Sequence, residues 1–248
     1  MQEEYAIQVK NVYMRFNLAR QKVDSLKEYM VKRLKREYIR DEFNAVSDVS
    51  FLVEKGDSFA IIGTNGSGKS TLLKMISGIY KPTSGEIVAH GSIAPMIELG
   101  AGFDMELTAR ENVYLNGAVL GHTKDMMSAH FEDIISFAEL WDFVDVPIKN
   151  FSSGMKARLG FAIATITKPD ILIVDEILSV GDANFKEKCE KKMAEMKANG
   201  VTLILVSHSI EQVLSVCNRA LWINKGRVAA IGDVRTICDA YMTYVTQN

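Results

Sequence analysis

Three short runs of consecutive apolar residues recur along the chain, and each is followed by a stretch whose apolar positions have helical spacing. The runs are SFAIIG, ILIVD and TLILVS, at residues 58–63, 171–175 and 202–207. β-Branched residues dominate them and polar residues do not alternate with apolar ones, which is typical of strands buried on both faces. The alternation of such strands with helices predicts an α/β fold that has a mostly parallel sheet.

Two further segments have β-like runs on either side of a glycine, and we predict a hairpin at each. They are EIVAHGSIAPMIEL at residues 86–99 and ALWINKGRVAAIG at residues 220–232. Between them, residues from Thr108 to about Phe143 have helical patterns and no strong strand pattern. These residues predict a small helical subdomain inserted between the first part of the sheet and the later strands.

The segment at residues 21–42 interrupts the strand patterns near the start of the chain. Ser25 and Glu28 have the spacing of a capping box, which predicts a helix that begins at Ser25 and extends to about Arg40. Its apolar residues share one face and basic residues fill much of the rest. Two interpretations of this helix are equally favoured. It covers part of the core as a surface helix, or it lies at a membrane interface or against a membrane-embedded partner.

The overall composition is that of a globular chain. Apolar residues make up 48% and charged residues 24% of the 248, which excludes disordered and fibrous classes. Lys and Arg total 29 against 31 Asp and Glu, so the overall charge does not favour nucleic acid, although a local basic patch still could. No apolar run approaches the roughly 18 residues of a membrane span. The N-terminal residues MQEEYAIQVK have acids where a secretory signal has bases, which predicts a cytoplasmic location.

The three cysteines, an odd number without CxxC spacing, argue against a disulfide framework or a zinc site. We expect them to be reduced and partly buried.

Residues 63–70, GTNGSGKS, match the phosphate-loop pattern in full, between a predicted strand and a predicted helix. The glycines let backbone N–H groups converge on phosphate oxygens, and the helix N-terminus adds a favourable dipole. We expect Lys69 to reach the β- and γ-phosphates and the Ser70 hydroxyl to bind Mg²⁺. The predicted nucleotide-binding residues of this motif are Gly63, Thr64, Asn65, Gly66, Ser67, Gly68, Lys69, Ser70 and Thr71.

Two acids and a serine pair are the other candidates for chemistry. Asp175 ends the strand pattern ILIVD and can hold Mg²⁺, while Glu176 can act as general base for an attacking water. Helix capping is the alternative role for both acids. The serines and the glycine of FSSGM, at the start of a helical pattern, suit an anion, although a plain N-cap is the commoner role.

The order of these motifs resembles that of the ATP-binding cassette ATPases: a phosphate loop, SSGM at a helix start, ILIVDE, then a histidine after the next strand. The resemblance covers nearly the whole chain. It implies one domain over residues 1–248, with a P-loop NTPase (RecA-like) core, a mostly parallel sheet, an antiparallel β subdomain and an inserted helical subdomain at about residues 104–160. It also implies ATP and Mg²⁺ as cofactors, and a homodimer with composite ATP sites.

By this resemblance, two segments belong to the contact between subunits. The signature loop completes the γ-phosphate site of the opposite subunit, and SVGD at residues 179–182 lines the dimer interface. The signature departs from the family's usual LSGGQ, with Ser153 third and Met155 last. The signature residues that bind nucleotide are Ser152, Ser153 and Gly154.

The resemblance also implies the catalytic and base-binding residues. His208 matches the switch histidine that contacts the γ-phosphate, and it joins Lys69 and Glu176 as catalytic residues. Phe16 matches the aromatic residue that stacks on adenine, with Tyr13 as a weaker candidate.

One metal ligand departs from the family pattern. Members usually have a Gln near the metal in the loop after the second sheet segment, and here the nearest match is Glu98, in MIELGAGF. A carboxylate can still reach Mg²⁺, so Glu98 is predicted as a ligand with Ser70 and Asp175.

Three segments further resemble the subfamily that powers export of bacterial cell-surface polysaccharides, of teichoic acid, O-antigen or capsule type. They are PMIELGAGFDMELTARENVYLNG, FSSGMKARLGFA and DEILSVGDANFKEKC. This resemblance implies two copies of a multi-span permease, a lipid-linked glycan substrate handled mainly by the permease, and a peripheral place on the cytoplasmic face of the membrane. Members carry an extra helix at the membrane surface, which favours the membrane interpretation of the helix from Ser25 to Arg40. We expect no C-terminal carbohydrate-binding domain, since the chain ends at Asn248.

Two alternative functions are weighed against this one. Soluble cassette ATPases of translation or DNA maintenance usually fuse two cassettes or insert a long coiled coil, and the sequence has neither, so no nucleic-acid partner is expected. A P-loop kinase or GTPase is the second alternative, and the SSGM helix start before ILIVDE counts against it.

Overall fold

The computed structural model describes residues 5–19, 40–96, 102–175 and 182–247. The helix predicted from Ser25, the candidate metal ligand Glu98 and the candidate base Glu176 lie outside these ranges. Arg40, predicted as the last residue of that helix, is the first residue of a strand.

The strands of the described ranges are β1 Tyr5–Ala19, β2 Arg40–Glu54, β3 Ser58–Ile62, β4 Ser84–Ala89, β5 Ile93–Met96, β6 Ile171–Asp175, β7 Thr202–Val206, β8 Arg219–Asn224 and β9 Arg227–Asp233. The α-helices are α1 Lys69–Ile76, α2 Ala109–Val119, α3 Lys124–Ala129, α4 Phe131–Ala138, α5 Ser153–Ile166, α6 Ala183–Ala198, α7 Ile210–Val216 and α8 Val234–Gln247. Two single 3₁₀ turns, Trp141–Phe143 and Ile148–Asn150, lie between α4 and α5.

The larger sheet has the strand order β5-β6-β7-β3-β8-β9. It is parallel from β5 to β8, and only its edge strand β9 runs antiparallel. Every residue of β3 and β7 is buried, and β6 is buried up to its last residue. The three apolar runs are therefore strands covered on both faces, as the sequence predicts, and the mostly parallel sheet is confirmed.

The predicted hairpin at residues 220–232 is present as the antiparallel pair β8–β9. Its turn has positive φ at Lys225 (47°) and Gly226 (75°), the conformation that suits the right-handed twist of a tight hairpin.

The predicted hairpin at residues 86–99 is wrong. β4 pairs with β1 in a separate antiparallel sheet of order β2-β1-β4, whereas β5 pairs with β6 in the parallel sheet. The carboxylate of Asp170 accepts hydrogen bonds from the backbone N–H (2.7 Å) and hydroxyl (2.8 Å) of Ser92, which holds the connection at the parallel sheet. A glycine between two β-like runs indicates a turn, but it does not determine which sheet each run joins.

Alternate residues of the central strands belong to two different apolar clusters. Ala60 and Ile62 of β3 pack with α6 and α8, while Phe59 and Ile61 pack with α1 and the antiparallel sheet. A third cluster holds α2, α3, α4 and one face of α5 together. Since α5 also contributes Phe161 to the cluster beside α6, it connects the helical part to the parallel sheet. In the part of the chain that the structure describes, no helix is long and apolar enough to cross a membrane.

The cysteines provide a test of this packing. Cys189, Cys217 and Cys238 are all buried, and burial raises the pKa of the Cys189 and Cys217 thiols to about 12. A thiol reacts through its thiolate, which at pH 8 is then about one molecule in 10⁴. We expect Ellman's reagent at pH 8 to leave both thiols unmodified in the native protein and to modify them after denaturation. Modification of the native protein at the rate of the denatured one would contradict this packing.

Candidate functional site

The loop between β3 and α1 has a backbone that only glycine adopts easily. φ is 153° at Gly63, 75° at Gly66 and 107° at Gly68. A Cβ atom on Gly68 would lie 2.5 Å from the carbonyl oxygen of Ala45, and one on Gly63 would lie 2.2 Å from that of Ile223. The glycines are therefore required both by the turn and by the close approach of two neighbouring strands.

Lys69 is held against this loop. Its side chain is buried, and its Nζ donates hydrogen bonds to the carbonyl oxygens of Gly63 (2.7 Å) and Thr64 (3.0 Å). The hydroxyl of Ser67 is buried beside them and has no hydrogen-bond partner among the described residues. The loop thus combines a buried cation, an unpartnered hydroxyl and the N-terminus of α1, three features that suit a phosphate group.

A cavity of about 270 Å³ lies over this loop. Because the carboxyl ends of parallel strands meet at one edge of a sheet, it brings together side chains distant in sequence: Asp175 ends β6, and His208 follows β7. Asp175 is half-buried and His208 is exposed. The cavity lining consists of Phe43, Ala45, Asn65, Gly66, Ser67, Gly68, Lys69, Ser70, Thr71, Asp175, Val206 and His208.

The cavity also contains an aromatic residue that sequence reasoning missed. The Phe43 side chain lines it with 48% of its surface exposed. Phe16, the predicted adenine-stacking residue, is the cross-strand partner of Phe43 and is half-buried, with its ring centroid 5.9 Å from that of Tyr80. Phe16 and Tyr13 are not among the lining residues of this cavity. Only the pairing of β1 with β2, across a long intervening segment, puts the two phenylalanines opposite each other.

The signature residues do not line this cavity in the same chain. Ser152 is the N-cap of α5, and its hydroxyl accepts a hydrogen bond from the backbone N–H of Met155 (3.2 Å). Ser152 and Ser153 are exposed, and within the described part of the chain a Cβ atom on Gly154 would meet no side chain closer than the Ser152 hydroxyl, at 3.8 Å. The start of α5 is therefore capped as expected and open on its outer side.

The sequence model of the family described as ABC transporter matches residues 46–179. The chain is 46% identical over 200 residues to an O-antigen export system ATP-binding protein, RfbB, of Klebsiella pneumoniae, covering 81% of each chain. It is 40% identical over 245 residues to a teichoic acids export ATP-binding protein, TagH, of Listeria innocua, covering 99% of this chain and 72% of the relative.

Solved structures share the fold. One, described as the ATP binding subunit of an ABC transporter, has a TM-score of 0.75 at 23% identity and covers 96% of this chain and 93% of its own. Another, a dimeric post-hydrolysis state of an ATP-binding cassette bound to ADP and Pi, has a TM-score of 0.73 at 22% identity, covering 92% and 99%. The predicted fold class is thereby confirmed. The family match, together with identity along most of both chains, shows that this chain belongs to the ABC transporter family.

Proposed function

We propose that this chain is the ATP-hydrolysing subunit of an exporter that moves a lipid-linked cell-surface polysaccharide across the bacterial cytoplasmic membrane. The observation that carries the proposal is the cavity in which the phosphate loop meets Asp175 and His208, in a chain whose relatives are named as O-antigen and teichoic acid export proteins. The alternative of a soluble ATPase of translation or DNA maintenance is not favoured, because none of these relatives carries such a name.

The residues present fit a nucleotide phosphate, since the buried Lys69 and the buried hydroxyl of Ser67, unpartnered among the described residues, lie in the loop that leads into the N-terminus of α1. Bound Mg²⁺-ATP would supply the γ-phosphoryl group for in-line attack by water, and the metal ion would neutralise charge on the phosphate oxygens. The backbone N–H groups of the loop would hold the phosphates. Lys69 would turn from the two carbonyl oxygens to the β- and γ-phosphate oxygens.

The remaining roles fall on the rim of the cavity and on residues outside the described ranges. The Ser70 hydroxyl and the Asp175 carboxylate would hold the metal, with Glu98 as a third ligand. His208 would donate a hydrogen bond to the γ-phosphate, and the Glu176 carboxylate would take the proton of the attacking water.

Two chains would pair head to tail, each presenting Ser152, Ser153 and Gly154 to the nucleotide of the other. The exposed start of α5 and its place outside the cavity of its own chain support this arrangement. Two copies of a multi-span membrane protein would complete the exporter. The chain, one cassette with its helical subdomain at about residues 104–160, would bind them at the cytoplasmic face, and the basic helix from Ser25 to Arg40 would contact the membrane surface or the permease.

The role of Glu176 is tested by Glu176→Gln. We expect hydrolysis to fall by about 10²- to 10⁴-fold, the usual contribution of a general base, with ATP affinity unchanged because the amide keeps the side-chain volume. Steady-state phosphate release and calorimetric titration of ATP measure the two quantities. Hydrolysis at the parental rate would show that Glu176 is not the base.

The base-stacking residue is tested by comparing Phe43→Ala with Phe16→Ala. Because Phe43 lines the cavity, we expect its loss to weaken ATP binding by at least about 5-fold, the lower end of base–aromatic stacking, and the loss of Phe16 to matter less. Inorganic tripolyphosphate, which has no base, is the control ligand, and its affinity should not change in either variant. A larger loss in Phe16→Ala would assign the adenine to Phe16.

The transport role is tested by the choice of activator. We expect ATP turnover to rise when the chain is reconstituted in lipid with a multi-span permease partner and a lipid-linked glycan. A bound partner or substrate can change turnover only if it binds one conformational state of the ATPase more tightly than another, and coupling to transport requires such a difference. RNA and DNA serve as controls and should leave turnover unchanged. A rise with nucleic acid in the absence of any membrane partner would favour the soluble alternative.

A further inference from the structure

One arginine joins three structural elements near the signature helix. Arg158, in the second turn of α5, donates from Nη1 to the Glu139 carboxylate (2.6 Å) and from Nη2 to the Asp182 carboxylate. Its guanidinium carbon lies 4.8 Å from the ring centroid of Phe185. Glu139 follows α4, while Asp182 and Phe185 belong to the start of α6. The contacts of one side chain therefore connect the helical subdomain, the signature helix and α6.

The environment of this arginine makes the contacts costly to lose. Only 18% of the Arg158 side chain is exposed, so removal of either carboxylate leaves a mostly buried cation with one partner fewer. Lys188 of α6 donates to Glu139 (3.2 Å) and to the carbonyl oxygen of Phe137 (2.9 Å). Lys188 and Arg158 together hold the pKa of Glu139 below its ordinary value. The hydrogen bond from the Phe185 N–H and the charge of Arg158 lower the pKa of Asp182, so the carboxylates of Glu139 and Asp182 stay ionised at neutral pH.

Asp182 has a second role at the same point. Its carboxylate accepts a hydrogen bond from the backbone N–H of Phe185 (2.9 Å), which caps the N-terminus of α6. Asp182 is also the last residue of SVGD, the segment that resembles the dimer-interface loop. The cap of α6 and the signature helix are thus bound to one guanidinium.

We propose that Arg158 is a positioning residue that fixes the start of the signature helix α5 relative to Asp182 and the start of α6, so that both present one dimer-facing surface to the partner's nucleotide. The inference rests on the proposed function, because it is the partner's site that this surface completes. Arg158 itself does not line the nucleotide cavity of its own chain. Its loss therefore leaves ATP binding to the phosphate loop intact and lowers turnover.

The test uses Arg158→Gln and Arg158→Lys in the full chain. In Arg158→Gln, kcat falls by about 10- to 100-fold, the cost of a small misplacement of catalytic groups, while the Kd of ATP for the single chain stays within about 2-fold. Arg158→Lys keeps only part of the parental kcat, because an ammonium group cannot donate to two carboxylates with the planar geometry of a guanidinium.

Arg110 provides the matched control. It also pairs with a carboxylate, that of Asp145 (2.8 Å from Nε), and its guanidinium carbon lies 4.9 Å from the ring centroid of Phe131. These contacts stay within the helical subdomain and do not reach α6. Arg110→Gln therefore keeps the parental kcat.

Asp182→Asn examines the same contact from its exposed partner, in case Arg158→Gln does not fold. Asparagine caps a helix about as well as aspartate, so α6 keeps its N-cap while the ion pair to Arg158 is removed. Because Arg158 and Asp182 act through one contact, kcat of the double variant, Arg158→Gln with Asp182→Asn, is no lower than that of Arg158→Gln alone.

Hydrogen exchange separates this inference from the proposed function, since it needs no turnover. Backbone amides at the start of α5 and of α6 exchange faster in Arg158→Gln and Asp182→Asn, and at the parental rate in Arg110→Gln. Parental exchange at both helix starts, parental kcat in Arg158→Gln, or an additive loss in the double variant overturns the role of Arg158. If the parental chain hydrolyses no ATP while the variants still show this exchange pattern, the proposed function is overturned and the positioning contact stands.

Discussion

The close approach of two strands to the phosphate loop is the constraint on which the site depends. The carbonyl oxygens of Ala45 in β2 and Ile223 in β8 leave no space for a Cβ atom on Gly68 and Gly63. The β8–β9 turn completes the contact, because Gly226 donates its N–H to the Ser67 carbonyl (2.9 Å) and accepts from the N–H of Ser47 (2.7 Å). The backbone of the loop is therefore fixed by contacts with both sheets.

The same contacts determine how charge is arranged. A buried lysine is unfavourable unless hydrogen bonds satisfy it, and Lys69 uses two carbonyl oxygens of the loop for this purpose. A ligand with phosphate oxygens can replace those carbonyls. Asp175 and His208 reach the same cavity only because β6 and β7 run parallel to β3 and end at the same edge. Arg158 joins α5 to Glu139 and to the start of α6 by ion pairs. The helix that carries the signature is attached to the sheet by apolar packing.

Local patterns predicted most of the central sheet. Strands β3, β6 and β7 follow from runs of buried residues, and the start of α5 follows from the cap at Ser152, because strand burial and capping depend on near neighbours. The prediction at residues 86–99 was wrong because the partners of β4 and β5 are β1 and β6, which are distant in sequence. The position of Phe43 beside the loop was missed for a similar reason, since it depends on the register of β2 against β1.

The sequence by itself determined the fold class, the phosphate loop and the order of motifs that marks the family, because glycine spacing and apolar periodicity act over a few residues. Only the tertiary structure decided which distant side chains share the cavity with Lys69 and which aromatic residue lines it. It also decided that Arg158, one basic residue within a helical pattern, contacts Glu139 and Asp182 at once. Such contacts depend on how helices and strands far apart in the chain pack together, and no local pattern encodes the distance between them.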